Sequence, residues 1–300
     1  MYTLKRLVPN LFTAGSLIGG IFAIIFALKG RLDIAPYCIL IAAFFDFSDG
    51  FMARLLKVQS ELGKQLDSLA DMVTFGVAPG IIVFQLLKLS SWSQAPWFGT
   101  SLDGAYNNAA HYLDPDKHIW VWETLGKSSD TELSFFINRH IHDSSLDWLT
   151  YLALIIPVFA LFRLAKFNLD PRQSDSFIGV PTPAVTLFFV ALPLIIVSGL
   201  EREGMWRELA IDLVLNPLFL ISTTVILSVL MVSEIPLFAL KFKSFGWKGN
   251  ELRYSFLTIS AILLATLFVW ALPIIVLLYI ILSLISNIVN KRKNEVQSGN

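Results

Sequence analysis

Apolar runs of membrane-crossing length alternate with short polar connections along most of the chain. This alternation predicts helices over Leu11–Leu28, Ile34–Leu56, Gln65–Leu89, Trp148–Ala165, Ala184–Leu200, Leu213–Ser233, Tyr254–Trp270 and Leu272–Ile288. Roughly 20 apolar residues span a hydrocarbon core, and most of these runs approach that length. Pro9 suits the first turn of the first helix, where Asn10 and Thr13 either cap the helix or point into a pocket. Pro181 and Pro183 kink the start of the fifth, and Glu201–Asp212 reads as a charged connector before the sixth. Only a short turn near Ala271 and Pro273 separates the last two. The prediction is an all-α integral membrane protein of about eight transmembrane helices, forming a single domain over residues 1–300.

Ser90–Asp147 breaks the pattern. It is polar, carries Trp92, Trp97, Trp120 and Trp122, and is far longer than a helix connection needs to be, so it reads as an extramembrane insert. All four histidines, His111, His118, His140 and His142, fall within it, at spacings that match no zinc motif.

Composition supports the membrane assignment: 55% of residues are hydrophobic, 15% are charged and 24 are Phe. A formal net charge of zero gives no sign of nucleic-acid binding. Cys38 is the single cysteine and reads as a small core residue, which excludes a disulfide framework. Most of the 23 Lys and Arg fall in the N-terminus, the turn at Arg54–Lys64, the connections after helices four and six, and the tail. By the positive-inside rule both termini and that turn are cytoplasmic, in a cell (inner) membrane, and the insert faces the other side.

Chemistry concentrates where helices two and three meet. Asp46 and Asp49 lie about 60° apart on one helix, and Asp67 and Asp71 about 40° apart on the next. Each Asp near the centre of a membrane helix costs about 2.5–3.5 kcal/mol, so four of them require a compensating cation. Carboxylates are hard oxygen ligands suited to Mg²⁺, Mn²⁺ or Ca²⁺, and four negative charges match two divalent ions, the arrangement that clamps both ends of a phosphoryl transfer. Arg54 can pair with a phosphate, and Lys57 and Lys64 add positive potential at the mouth. Gly50, Ala53 and Gly63 are small enough for a ligand to approach closely.

The pattern Asp46-x2-Asp49-Gly50-x2-Ala53-Arg54-x8-Gly63-x3-Asp67-x3-Asp71 resembles the signature of the CDP-alcohol phosphatidyltransferases at every fixed position. The resemblance implies a six-helix membrane core, and transfer of a phosphatidyl-type group from a CDP-linked donor to an alcohol with release of CMP. It implies that Asp46, Asp49, Asp67 and Asp71 hold two divalent ions, Mg²⁺ or Mn²⁺, with Ca²⁺ expected as an inhibitory substitute. It further implies that Asp71 is the base for the acceptor hydroxyl, and that Gly50, Ala53, Arg54, Gly63, Asn10 and Thr13 receive the CDP moiety. A homodimer is implied as well.

PNLFT at Pro9–Thr13, RLAKFN at Arg163–Asn168, FIGVPTPA at Phe177–Ala184 and LMVSEIP at Leu230–Pro236 resemble the multi-helix CDP-diacylglycerol–serine O-phosphatidyltransferases. On that resemblance the substrates are CDP-diacylglycerol, drawn from the membrane lipid, and L-serine. Arg163, Lys166 and Asn168 are the candidate serine-binding residues. The expected chemistry is direct attack by the serine hydroxyl, since the motif holds no activated Ser, Cys or His nucleophile. The alternatives are another acceptor, such as glycerol 3-phosphate or an inositol compound, and, in a different class, an ion-coupled transporter. A transporter would call for inverted repeats and a midplane site, neither of which is visible in the sequence.

Overall fold

A computed structural model describes residues 2–58, 60–93, 147–169, 177–200, 205–238, 246–247 and 250–298. The four histidines and Trp97, Trp120 and Trp122 lie outside these residues. The helices are α1 (Tyr2–Leu28), α2 (Ala35–Leu55), α3 (Glu61–Asp71), α4 (Ala78–Ser93), α5 (Ile155–Leu169), α6 (Thr182–Leu200), α7 (Met205–Val214), α8 (Pro217–Val232), α9 (Glu251–Leu267) and α10 (Ala271–Ser298). A π-helical segment, Met72–Val77, joins α3 to α4, and 3₁₀ turns at Asp147–Leu154 and Phe268–Trp270 lead into α5 and α10. Among the described residues, five helical stretches are long and apolar enough to cross a membrane: Leu7–Leu28, Glu61–Ser90, Trp148–Leu169, Thr182–Gly199 and Glu251–Val289. The chain is an all-α integral membrane protein. All eight predicted segments are helical, α3 and α4 together forming the third, but α2 and the shorter α8 fall outside the five membrane-crossing stretches and α9 and α10 share one.

Three local expectations need correction. Helix one starts at Tyr2, so Pro9 lies inside it rather than in its first turn, at the cost of one backbone bond four residues back. The connector Glu201–Asp212 contains a helix of its own, α7, and the sixth predicted helix begins only at Pro217. The connector is helical because it has an apolar face. Ala210 and Val214, one turn apart, are fully buried, and Gly199 of α6 lets Ala210 pack where a Cβ would sit 2.4 Å from the Ala210 Cβ. Finally, Phe177–Ile178 (β1) pairs antiparallel with Pro236–Leu237 (β2), a two-stranded ladder that no alternation predicts.

Helix α6 is the hub: 72% of its apolar window is buried, against 28–56% for the other spans. A helix apolar on every side belongs at the centre of a bundle, and Phe188, Phe189, Val190, Ala191 and Leu192 are buried in succession. The outer helices turn their remaining apolar faces outward, as Phe44, Phe47 and Phe51 of α2 do, where lipid replaces water as the solvent.

Helices α1 and α2 approach through small residues. A Cβ on Gly19 would fall 2.8 Å from the Ala42 Cβ, so bulk there would push the pair apart. The turn after α2 puts Lys57 in the left-handed region at φ 53, and Ser60 then caps α3 by accepting from the Gly63 amide at 3.1 Å. This tight reversal sets α2 and α3 face to face at one end of the bundle.

The same end collects the other basic segments. Lys64 Nζ donates to the Asn168 carbonyl at the end of α5, Lys166 Nζ to the Val232 carbonyl at the end of α8, and Asn287 Nδ2 to the Pro236 carbonyl in β2.

Candidate active site

The reversal between α2 and α3 brings Asp46, Asp49 and Asp67 together, each offering a carboxylate oxygen within 4.8 Å of the others. Asp71, one turn beyond Asp67, has its carboxyl in hydrogen-bonding range of Asp46, which also reaches Asp67. The four acids therefore form a connected group, with Asp71 at its inner end. Asp71 Oδ1 is buried with no hydrogen-bond partner. An unpaired buried carboxylate oxygen is costly, and beside three further carboxylates its natural complement is a cation. The donor set is all oxygen, which suits hard divalent ions.

Helix α1 holds one of these acids in place. Thr13 Oγ1 approaches Asp49 Oδ2 at 2.5 Å and the Pro9 carbonyl at 3.2 Å. Thr13 and Asp49 are both buried, at 6% exposure.

Beside Asp49 and Asp67 opens a cleft of about 560 Å³, whose lining includes Asn10, Thr13, Gly50, Ala53, Arg54, Gly63 and Lys64. All six residues predicted to receive CDP share this one cleft. Gly50 has open space where a side chain would be: its nearest neighbour to a Cβ is Arg54 Nη2, 3.9 Å away. The glycine is therefore not required by packing, and the room it leaves belongs to the cleft.

The three candidate acceptor-binding residues diverge. Arg163 is buried at 7% exposure. Its Nη1 donates to Thr182 Oγ1 at 3.2 Å, its guanidinium lies 5.0 Å from the Phe167 ring centroid, and it faces Asp71 within electrostatic range. Asn168 donates through Nδ2 to Ser68 Oγ at 2.8 Å, which ties the end of α5 to the Asp67–Asp71 helix. Lys166 is exposed and directed to the Val232 carbonyl. Sequence reasoning passed over Thr182 and Ser68, since a lone hydroxyl in a helix carries no signal until its cross-helix partner is known.

A family model described as CDP-alcohol phosphatidyltransferase matches residues 6–102, a stretch that contains the whole acidic group and its cleft. Over those residues the chain carries a match to a CDP-alcohol phosphatidyltransferase domain. It is similar to a CDP-diacylglycerol–serine O-phosphatidyltransferase of Helicobacter pylori, at 27% identity over 76% of this chain and 70% of that protein. It is similar to one of Bacillus subtilis, at 27% over 76% of this chain and 88% of the other. A shorter match, 47% identical over 20% of this chain and 23% of its counterpart, is to a protein of the same description from Saccharomyces cerevisiae. The domain match, these relatives and the membrane-crossing helices together make the chain a membrane enzyme of phospholipid biosynthesis, and the transporter alternative falls away.

Proposed function

We propose that the enzyme transfers the phosphatidyl group of CDP-diacylglycerol to L-serine, giving phosphatidylserine and CMP. The observation that carries this reading is the position of Asp71, within reach of Asp46 in the acidic group and within electrostatic range of the buried Arg163. A carboxylate-bearing acceptor needs a cation close to the group that takes its hydroxyl proton, and Arg163 meets that need with a planar fork matched to a carboxylate. The relatives described as serine transferases support the same acceptor.

In this reading the cytidine and diphosphate occupy the cleft, with Gly50 and Gly63 giving room and Arg54 and Lys64 pairing with phosphate oxygens. The serine carboxylate meets Arg163, and Asp71 accepts the proton of the serine hydroxyl. The hydroxyl oxygen forms a bond to the phosphorus that carries diacylglycerol. The bond from that phosphorus to the bridging oxygen breaks, and CMP departs with the electron pair. Mg²⁺ or Mn²⁺ ions held by Asp46, Asp49, Asp67 and Asp71, two in number, would neutralise the charge that gathers on the diphosphate. Asp46, Asp49 and Asp67 converge to hold them, and Thr13 keeps Asp49 turned toward the group.

The basic segments gathered at the cleft end support a cytoplasmic active site in the inner membrane, so that serine and CMP exchange with water while the acyl chains remain in lipid. The homodimer expectation rests on the resemblance and is checked by mass measurement in detergent. The deciding assay is CMP release from CDP-diacylglycerol with Mn²⁺ or Mg²⁺ and a panel of acceptors. Turnover with serine supports the proposal; turnover with glycerol 3-phosphate or inositol but not serine refutes it.

A further inference from the structure

Pro79 sits where a helix carrying two of the acids must pass through the apolar interior. It has no amide hydrogen to offer the carbonyl of Phe75, four residues back, and in a regular α-helix its ring would press on that same carbonyl. The chain answers with the π-helical segment Met72–Val77, across which the Ala78 amide reaches back five residues to the Val73 carbonyl. The Phe75 carbonyl, which Pro79 cannot serve, receives a bond from outside the helix: Thr186 Oγ1 of α6, itself 2% exposed, donates to it at 2.8 Å. Beside it Thr74 Oγ1 donates to the Ser16 carbonyl of α1 at 3.1 Å. The π segment is thus held from two helices, and it begins immediately after Asp71.

We infer that Thr186 is a positioning residue for Asp71. It acts through the Phe75 carbonyl, one turn along the helix, by fixing the wide turn that sets the direction of the Asp71 carboxylate. Without this donor the Phe75 carbonyl loses its tie to α6, and the wide turn relaxes, rotating Asp71 relative to Asp46 and Arg163. The inference rests on the reading of Asp71 as a metal-holding and proton-accepting group.

The test uses the full-length protein in detergent, with Mn²⁺ binding measured from the free-ion electron paramagnetic resonance signal, alongside CMP release and thermal unfolding. Thr186→Val is expected to weaken Mn²⁺ binding about tenfold and to lower turnover by a similar factor, the scale on which partners behind a metal ligand act. Thr186→Ser, which keeps the donor, is expected to restore both. Wild-type Mn²⁺ binding in Thr186→Val, or a loss of stability alone, overturns the inference. Should Thr186→Val fail to fold, Thr186→Cys offers a near-isosteric side chain with a weaker donor: intermediate Mn²⁺ affinity supports the inference and wild-type affinity overturns it. Asp71→Asn, measured in parallel, separates the two layers. Unchanged Mn²⁺ binding and turnover in Asp71→Asn remove the reading of Asp71 and the inference with it, whereas a defect in Asp71→Asn with none in Thr186→Val removes the inference only.

Discussion

Thr13 Oγ1 on α1 lies 2.5 Å from Asp49 Oδ2 on α2, so the first helix sets the direction of a carboxylate carried by the second. The bond crosses the α1–α2 interface and ends in the acidic group. Thr13→Val keeps the shape of the side chain and removes the donor. It is expected to lower CMP release about 10–100-fold, with Thr13→Ser retaining most activity. The net stability lost with one hydrogen bond is about 0.5–1.5 kcal/mol, too little to unfold the protein, so melting temperature measured beside turnover separates a misplaced ligand from a damaged fold.

Gly50 and Gly20 make a paired prediction of opposite sign. A Cβ on Gly50 meets nothing closer than 3.9 Å, and alanine is favoured over glycine within a helix by about 0.5–1 kcal/mol, so Gly50→Ala is expected to keep or raise the melting temperature. The new methyl group occupies the cleft, and the KM for CDP-diacylglycerol rises. A Cβ on Gly20 falls 2.5 Å from Thr74 Oγ1 and 2.9 Å from the Thr74 Cα, where backbone must move. Gly20→Ala is expected to cost about 1–3 kcal/mol of stability. Thermal unfolding and donor titration of the two variants check both halves; an unfolded Gly50→Ala protein would contradict the account of the cleft.

The difference between these glycines shows what the sequence could and could not convey. Spacing alone put Asp46 and Asp49 on one face and Asp67 and Asp71 on another, because a helix repeats every 3.6 residues and a short polar turn must reverse it. It also marked the apolar segments that contain the five membrane-crossing stretches, since hydrocarbon demands length and apolarity whatever the neighbours. Nothing in the sequence pointed to the π segment, even though Pro79 was in view: a proline within a helix signals only that a carbonyl is freed, and the donor that bonds to it, Thr186, is 111 residues away. Arg163 and Lys166 likewise read alike from sequence as basic residues at a helix end. Three residues of helix separate them by about 60°, enough to bury one beside Asp71 and leave the other exposed on the Val232 carbonyl.

Asp71→Asn is nearly isosteric and removes both the negative charge and the proton acceptor. With Oδ1 already lacking a hydrogen-bond partner, the amide breaks no bond made by that atom, and the protein is expected to fold. CMP release is expected to fall to background, at least about 10²-fold, the lower end of what a general base contributes. Near-normal turnover would refute the role assigned to Asp71.

The last prediction concerns the acceptor side. Arg163 Nη1 donates to Thr182 Oγ1 at 3.2 Å, and Thr182 is fully buried at the start of α6, just past the turn in which Gly179 adopts φ +76. That turn is fixed from across the bundle, with the Gly179 amide donating to the Ile235 carbonyl and the Val180 amide to the Leu230 carbonyl. A guanidinium pinned in this way presents its remaining donors in one direction, so the contact is selective for a planar carboxylate rather than for positive charge alone. Arg163→Lys keeps the charge and loses the fork, and Thr182→Val keeps the fork and loses its anchor. Both are expected to raise the KM for serine, Arg163→Lys by about tenfold or more for the loss of one charge-assisted bond of about 1.5–3 kcal/mol, and Thr182→Val by less. The KM for CDP-diacylglycerol should stay within about twofold in each, because the cleft that receives it is lined by α1, α2, α3 and the turn between α2 and α3, and contains neither residue. Initial rates over a grid of serine and CDP-diacylglycerol concentrations separate the two constants. A donor KM that rises in step with the serine KM would mean that Arg163 supports the whole site and has no special part in holding the acceptor.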